Sequence, residues 1–246
     1  DGDGLADMLL SYSGNTYIVF GKEGEWSSIH MNNGTSEETA TTPSVVRITN
    51  DEEATNNQQY VYTSLGDING DGYADVLIAG NPQDNYGLKS NGAAYVVFGA
   101  AEGATIWNND ISLTDLAEND LGFRITGALD YDLLANSSWT GVGDMNGDGY
   151  DDFMIQSSGD AESQNGASGN GSSYLLLGQP TSNWNDVNTI EVQEFGIQIL
   201  GTGVGEWSAL GDIDGDGLAD VSLSNESSTS VFYGSTALSA TRDESW

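Results

Sequence analysis

The stretch that decides the fold reads Asp67-Ile-Asn-Gly-Asp-Gly-Tyr-Ala-Asp75. Close copies begin at Asp144 and Asp212, and a copy without its first two residues opens the chain. The shared pattern is D-x-[DN]-G-D-G-x-x-D, with side-chain oxygens at positions 1, 3, 5 and 9. The glycines at positions 4 and 6 tolerate the backbone conformations that a tight turn needs. The pattern therefore predicts a loop that gathers several oxygen atoms around one centre.

The predicted loop has the chemistry of a calcium site. Its donors are all oxygens, and calcium takes about six to eight oxygen ligands in a flexible shell. The expected ligands are the side chains at positions 1, 3, 5 and 9 and the backbone carbonyl at position 7. Three complete sites follow, and a fourth is truncated: Asp67, Asn69, Asp71, Tyr73 and Asp75; Asp144, Asn146, Asp148, Tyr150 and Asp152; Asp212, Asp214, Asp216, Leu218 and Asp220; and the truncated Asp1, Asp3, Leu5 and Asp7.

The residues that follow each loop exclude an EF-hand. That motif needs a bidentate Glu at position 12, where this chain has Ile78, Ile155 and Leu223. A dockerin-like loop requires an acid at the same place and is excluded as well. Each loop is instead followed by a short apolar run such as Val76–Ala79, which is typical of a strand buried on both faces. We therefore expect each loop to join two strands.

The motif recurs at intervals of 68, 77 and 68 residues, and a fixed period of this kind indicates an array or a propeller. Each unit has a lead-in strand A, the loop, an apolar strand B, a strand C that ends in Gly, and a strand D after a longer connection. Four short strands are the content of one propeller blade. The sequence thus predicts an all-β protein, a β-propeller of four-stranded antiparallel blades with about four blades present.

Fourteen predicted strands make three and a half blades in a single propeller segment, residues 1–246, with units of roughly 1–59, 60–137, 138–205 and 206–246. A propeller needs a closed ring of several blades, and this chain opens inside a loop. We therefore expect a fragment of a larger ring, or a ring completed by another copy. The strands begin at Tyr62, Trp139 and Trp207 (A); Met8, Val76, Phe153 and Val221 (B); Tyr17, Tyr95, Tyr174 and Val231 (C); and Val46, Phe123 and Phe195 (D). No helix is expected, and Leu113–Leu116 forms one turn at most.

The charge and the composition exclude several classes of binding partner. The net charge is −33, with five Lys and Arg residues against 38 Asp and Glu, which excludes nucleic acid and anionic membrane surfaces as partners. No apolar stretch approaches the ~18 residues of a spanning helix, so no membrane insertion is expected. Because cysteine is absent, bound metal is the natural substitute for disulfides. Since cytosol holds little free calcium, the chain is expected to be secreted or at the cell surface.

No catalytic constellation stands out. A Ser/His/Asp triad would have to pass through His30, the one histidine, which lies in a polar stretch. Neither an H-E-x-x-H zinc motif nor a phosphate-binding Gly loop followed by Lys occurs. A carboxylate pair for glycoside hydrolysis stays open among the many acids. We expect that the chain is not an enzyme.

The binding face is expected opposite the calcium loops. Successive loops of a four-stranded blade alternate between its two ends, so the B–C and D–A loops lie away from the A–B calcium loops. Function concentrates in such loops when a rigid scaffold holds them. The loops concerned are Asn81–Gly92 and Ser157–Ser172 (B–C) and Asn50–Gln59 and Ala128–Ser138 (D–A), with Tyr86, Lys89 and Tyr131 as candidate ligand-face residues.

The repeated unit resembles the FG-GAP repeat of the integrin α-subunit N-terminal propeller and of many bacterial surface proteins. The likeness rests on the three complete motifs, the partial one, and the Phe-Gly pairs at Phe20, Phe98 and Phe195. The resemblance implies a calcium-binding propeller, usually of about seven blades, that binds ligands on the face opposite the calcium loops.

The expected function is that of an extracellular calcium-stabilised β-propeller serving adhesion, ligand binding or surface assembly. Its partner is expected to be a protein or glycan ligand on a cell surface, together with self or other blades of the parent chain. Two alternatives stay open. One is a non-catalytic accessory propeller of a secreted polysaccharide-degrading enzyme, and the other is a structural unit of a surface layer or filament.

Overall fold

The structure is a computed structural model that describes residues 1–12, 15–24, 31–32, 35–36, 45–49, 61–80, 92–101, 104, 107, 110–116, 119–127, 134–157, 171–184, 189–191, 196–199, 205–225 and 227–238. Within these residues the chain is nearly all β, and four sheets follow one another in chain order, antiparallel except for one short parallel edge strand in each of the first two. The predicted fold class is confirmed, because these sheets are the blades of a β-propeller. All fourteen predicted strands are present, together with four further short ones.

The strands fall into blades as the repeat predicts. Blade 1 contains β1 (Met8–Tyr12), β2 (Asn15–Val19) and β5 (Val45–Thr49), and a small hairpin of β3 (Met31–Asn32) and β4 (Thr35–Ser36) forms a sheet of its own. The other blades contain β6 (Val61–Gly66), β7 (Asp75–Gly80), β8 (Ala93–Val97) and β10 (Gly122–Thr126) in blade 2; β11 (Leu134–Gly143), β12 (Asp152–Ser157), β13 (Ser172–Leu176) and β15 (Ile197–Ile199) in blade 3; and β16 (Glu206–Gly211), β17 (Asp220–Ser224) and β18 (Thr229–Phe232) in blade 4.

Each A strand ends in an irregularity that turns the chain into the loop. In blade 2 the register of β6 and β7 shifts between Ser64 and Gly66, and Gly66 has a φ of 83°. Glycine adopts this left-handed conformation without the cost that a side chain would add. The same shift precedes the loops of blades 3 and 4, at Gly143 and Gly211. The Gly that precedes each complete motif therefore sets the direction in which the backbone enters the loop at its first Asp.

Two short parallel strands extend the outer edges of the sheets. β9 (Ile111–Ser112) belongs to the C–D connection of blade 2 but pairs with β5 of blade 1. Likewise β14 (Thr189–Glu191), from the C–D connection of blade 3, pairs with β10 of blade 2. The sequence did not predict these strands. They tie blade 2 to blade 1 and blade 3 to blade 2.

In the part of the chain that the structure describes, the core consists of three apolar clusters, each between two consecutive blades. Ile18, Phe20 and Ile78 contribute to the cluster between blades 1 and 2. Leu65, Ile68, Phe123 and Phe153 pack between blades 2 and 3, and Val142, Met145 and Trp207 between blades 3 and 4. Full burial of one such aliphatic or aromatic side chain contributes about 1.5–3 kcal/mol. Packing between blades, rather than within a sheet, therefore holds the described residues together.

The structure corrects two details of the sequence prediction. Part of the predicted loop Ala128–Ser138 is strand, because β11 begins at Leu134, a buried residue that pairs with Ser157. A four-residue helix, α1 (Thr181–Trp184), occurs where none was expected, and it places Trp184 against the ring of Phe123, with 4.3 Å between ring centroids. Among the described residues, no helix has the length and apolar character needed to cross a membrane.

Candidate metal centres

The four motif copies form the A–B loops, named here loop 1 (1–7), loop 2 (67–75), loop 3 (144–152) and loop 4 (212–220). In loop 2 the carboxylate of Asp67, at position 1, organises the turn. Its Oδ1 accepts the N–H of Gly70 at 2.7 Å and its Oδ2 accepts the N–H of Gly72 at 2.8 Å. The equivalent bonds in loops 3 and 4 are Gly147 to Asp144 (2.6 Å), Gly149 to Asp144 (2.8 Å), Gly215 to Asp212 (2.6 Å) and Gly217 to Asp212 (2.9 Å).

Positions 3 and 5 complete the oxygen cluster. In loop 4 one carboxylate oxygen from each of Asp212, Asp214 and Asp216 lies within 4.8 Å of the others, and all three side chains are exposed. Loop 2 has an amide at position 3, and Asn69 Nδ2 donates to Asp71 Oδ2 at 3.0 Å. Three carboxylates this close repel one another unless a cation lies between them. The arrangement therefore suits a hard cation that takes oxygen ligands.

Position 9 has a second role that joins the loop to the end of strand C. Asp75 is fully buried, and its two oxygens accept the N–H groups of Ile68 (2.9 Å) and Gly99 (2.8 Å). Each oxygen keeps a further lone pair that could reach a cation. Asp220 is buried in the same way and lies outside the acidic cluster of loop 4. The same pair of bonds is made by Asp152 to Met145 and Gly178 (both 2.8 Å) and by Asp220 to Ile213 and Gly234 (both 2.9 Å).

Burial raises the pKa of two of these carboxyl groups. Desolvation is the largest cause of a pKa of about 7 for Asp75 and also for Asp152. The two backbone hydrogen bonds to each group act in the opposite direction, while the negative charges at positions 1 and 5 raise the pKa further. A cation in the loop would favour the charged form and so offset the cost of burying it.

Loop 1 follows the same plan in the residues it has. Leu5 N–H donates to Asp3 Oδ1 at 2.7 Å, and Gly21 N–H donates to Asp7 Oδ1 at 2.8 Å. The amino group of Asp1 forms an ion pair with Asp7 Oδ2 at 2.8 Å. Each of the predicted metal ligands is therefore placed in an A–B loop, and the four loops share one backbone plan.

The candidate ligand-face residues Tyr86, Lys89 and Tyr131 lie outside the described residues. So do residues 81–91, 158–170 and 50–60, which contain most of the predicted B–C and D–A loops. The described strands place the ends of the B–C loops, at Gly80 and Gly92 and at Ser157 and Ser172, away from the metal loops.

Sequence reasoning missed the groups outside each A–B loop that form hydrogen bonds with it. These are the N–H of the Gly that follows each strand C, which binds position 9, and the position 8 residue Asp151, which contacts the preceding loop. The Gly was visible as a repeated end of strand C, but its partner was not. Asp151 carried a signal too, since Ala occupies position 8 in the other three copies.

The comparison with protein families agrees with this geometry. Residues 63–97 match the model of the FG-GAP repeat. This stretch covers most of β6, all of loop 2 and β7, and β8 to its end. No curated protein sequence matches the chain.

Proposed function

Because this chain carries the FG-GAP repeat, we propose that it is an extracellular, calcium-stabilised β-propeller segment that binds a protein or glycan ligand on a cell surface. The observation that carries the calcium part of the proposal is the cluster of Asp212, Asp214 and Asp216 in loop 4. The repeat itself supports an extracellular propeller domain. The proposed role of this domain is adhesion, ligand binding or surface assembly.

Calcium is the cation that these loops suit best. Asp212, Asp214 and Asp216 supply carboxylate oxygens, and position 7 adds a backbone carbonyl, with no nitrogen or sulfur donor in the motif. Calcium accepts this kind of irregular oxygen shell at about 2.3–2.6 Å, whereas magnesium demands a near-ideal octahedron at about 2.0–2.1 Å. Three complete calcium sites are proposed, in loops 2, 3 and 4, and a partial one in loop 1.

A calcium titration tests this part of the proposal. We expect isothermal titration of the chelator-treated chain to give three strong sites. Each position 5 variant, Asp71→Asn, Asp148→Asn or Asp216→Asn, should lose one of them. Asp115→Asn is the matched control, because Asp115 is also exposed but lies in a turn outside the loops. An unchanged stoichiometry in all three loop variants would rule out the assigned sites.

Calcium is proposed to stabilise the propeller rather than to take part in a reaction, and the chain is proposed to have no catalytic activity. The loop carboxylates already bind backbone N–H groups of their own loop or of strand C. A position 5 variant should therefore lower the melting temperature and lose ligand binding in parallel. A variant that melts like the parent but has lost binding would show a direct role for the ion.

The ligand is proposed to bind the face opposite the metal loops. The support is the antiparallel pairing of β7 with β8 and of β12 with β13, because the strand ends that these connections join lie away from loops 2 and 3. The test replaces residues 81–91 and 158–170 with short Gly-Ser turns and measures binding of cells and glycan arrays. Lost binding with an unchanged calcium stoichiometry is the expected result. Binding that survives both deletions but is lost on changing the metal-loop face would reverse the assignment.

A further inference from the structure

Neighbouring metal loops are in direct contact through their main chains. Asp151 N–H, at position 8 of loop 3, donates to the carbonyl of Asp67, at position 1 of loop 2, at 3.0 Å. Ala219 N–H makes the equivalent bond to the carbonyl of Asp144 at 2.8 Å. A second pair of bonds runs from Gln179 to Ile68 (2.9 Å) and from Ser235 to Met145 (2.8 Å). Loops 2 and 3 are therefore each bonded to the next blade beside their first proposed metal ligand.

Side chains at position 7 strengthen the same contact. The ring of Tyr150 lies so close to Gly70 that a Cβ at Gly70 would collide with it, and Leu218 lies in the same way on Gly147. Gly70 separates the proposed ligands Asn69 and Asp71. The residue that supplies a backbone ligand to one site thus packs between two ligands of the preceding site.

Asp151 adds a bond that the contact between loops 3 and 4 lacks. Its Oδ2 accepts the N–H of Asp67 at 2.8 Å, while its own N–H binds the carbonyl of Asp67. One residue of blade 3 therefore holds both main-chain groups of the first ligand of loop 2. Ala219 occupies the equivalent position with a methyl group, next to Gly143.

We propose that Asp151 is a positioning residue that holds Asp67 in place and makes calcium binding in loops 2 and 3 cooperative. The inference rests on the proposed binding of calcium to these loops. Asp151 lies between Tyr150 and Asp152, two proposed ligands of loop 3, so calcium in loop 3 fixes the backbone on both sides of it. Asp67 is then held before calcium binds loop 2, so binding there costs less conformational entropy. Loops 3 and 4 lack the carboxylate bond and are coupled more weakly.

The size of the effect follows from known outer-shell contacts. Removing a group that orients a metal ligand typically weakens metal binding by about 10–100-fold. Coupling between two binding sites commonly amounts to about 5–150-fold. We expect Asp151→Ala to weaken loop 2 by about tenfold and to leave loop 4 unchanged. Asp151→Asn keeps an acceptor oxygen and should preserve most of the affinity.

The experiment is a titration of the chelator-treated full chain with calcium chloride, followed by amide NMR. The glycine amides at positions 4 and 6 report each loop separately: Gly70 and Gly72, Gly147 and Gly149, and Gly215 and Gly217. Loop 3 is disabled by Asp148→Asn, once with Asp151 and once with Asp151→Ala. With Asp151 present, loss of the loop 3 site should weaken loop 2 by about tenfold. With Asp151→Ala, the same loss should have little further effect.

The reciprocal variant Ala219→Asp tests the idea without altering blade 3. It should strengthen calcium binding in loop 3 and make it depend on an intact loop 4, which Asp216→Asn disables. The proposal is overturned if disabling loop 3 weakens loop 2 equally with and without Asp151, or if Asp151→Asn behaves like Asp151→Ala. Should Asp151→Ala fail to fold, the Asn variant and Ala219→Asp still decide the question. Glycine amides that do not respond to calcium at all would instead overturn the proposed calcium function.

Discussion

Loops 2 and 4 share the hydrogen bonds from their backbone amides to positions 1 and 9 but have very different surroundings. In both loops, position 1 binds the amides of positions 4 and 6 at 2.6–2.9 Å, and position 9 binds the amide of position 2 at 2.9 Å. The apolar residues beside the two loops differ in their solvent exposure. Leu65 and Ile68 are 1% and 0% exposed, whereas the equivalent Leu210 and Ile213 are 38% and 52% exposed.

This difference in exposure shows which features of a loop are set by its own residues and which are set by the next blade. The loop conformation follows from its own Asp and Gly residues, so it is the same whether or not a further blade covers it. Burial follows from the next blade, which packs on loop 2 through Tyr150 and Asp151. Among the described residues, no blade packs on loop 4 in this way. The stability of a loop should therefore depend on both the ion and the neighbour.

Chelation is expected to have the largest effect and to affect the two loops unequally. Calcium at about 100 times its dissociation constant stabilises the folded state by roughly 2.7 kcal/mol per site. Its removal with EDTA should lower the melting temperature, and the amides of loop 4 should exchange hydrogen faster than those of loop 2. Added magnesium is the control and should not restore the melting temperature. An unchanged melt, or faster exchange in loop 2, would contradict this expectation.

Truncating the equivalent apolar residues beside loops 2 and 4 should show how much the next blade contributes to the free energy of unfolding. Leu65→Ala leaves a cavity between blades 2 and 3 and should cost about 2–5 kcal/mol. Leu210→Ala removes a partly exposed side chain and should change the free energy of unfolding by about 0.5 kcal/mol or less. Urea unfolding of the two variants measures both values. Equal losses would mean that Leu210 is covered in solution.

The sequence predicted the parts of the fold that are set locally and repeated. The Asp-Gly motif predicted the A–B loop. The runs beside it predicted strands A and B, except that blade 1 has no predicted strand A, and the runs that end in Gly predicted strand C. Strand D was also predicted, because Val46, Phe123 and the run after Phe195 recur after each longer connection. Repetition made these predictions possible, because an element that recurs at the same place in several units is identified more securely than one seen once.

The remaining features depend on contacts between units, and a single unit gives no signal for them. β9 and β14 have only two and three residues, and their partners lie in the preceding blade. The bond from Asp151 to Asp67 joins residues 84 positions apart. The candidate metal ligands follow from their positions in the motif, but the buried setting of Asp75 and its bond to Gly99 needed the structure.

Alanine at position 4 is expected to have an intermediate effect that again separates the two loops. Gly70 and Gly215 have φ angles of 74° and 82°, and this left-handed backbone costs a residue with a Cβ about 1–2 kcal/mol. Gly215→Ala should cost only that amount, because no atom lies within 4 Å of the added Cβ. Gly70→Ala should cost about 1–3 kcal/mol more, since the Cβ overpacks against Tyr150.

Thermal melts of the calcium-loaded variants test this difference. Tyr150→Ala is the matched background, because it opens the space beside Gly70. In that background Gly70→Ala and Gly215→Ala should become nearly equal. A difference that persists without the Tyr150 ring would need another cause.

Exchanging the residues at position 3 should have the smallest effect, on calcium affinity rather than on folding. Loop 4 has Asp214 where loop 2 has Asn69, and calcium affinity rises with the charge of the ligand set. We expect Asp214→Asn to weaken calcium binding in loop 4 by about tenfold, or roughly 1.4 kcal/mol, and Asn69→Asp to strengthen calcium binding in loop 2 by less. Asn69→Asp loses the bond that Asn69 Nδ2 donates to Asp71, so its gain should be the smaller of the two. Calcium titrations at low and moderate salt measure both shifts, and the shift in loop 4 should shrink more because salt screens its exposed charges. Equal affinities in all variants would mean that position 3 contributes no ligand, and the assigned shell would then lack one of its oxygens.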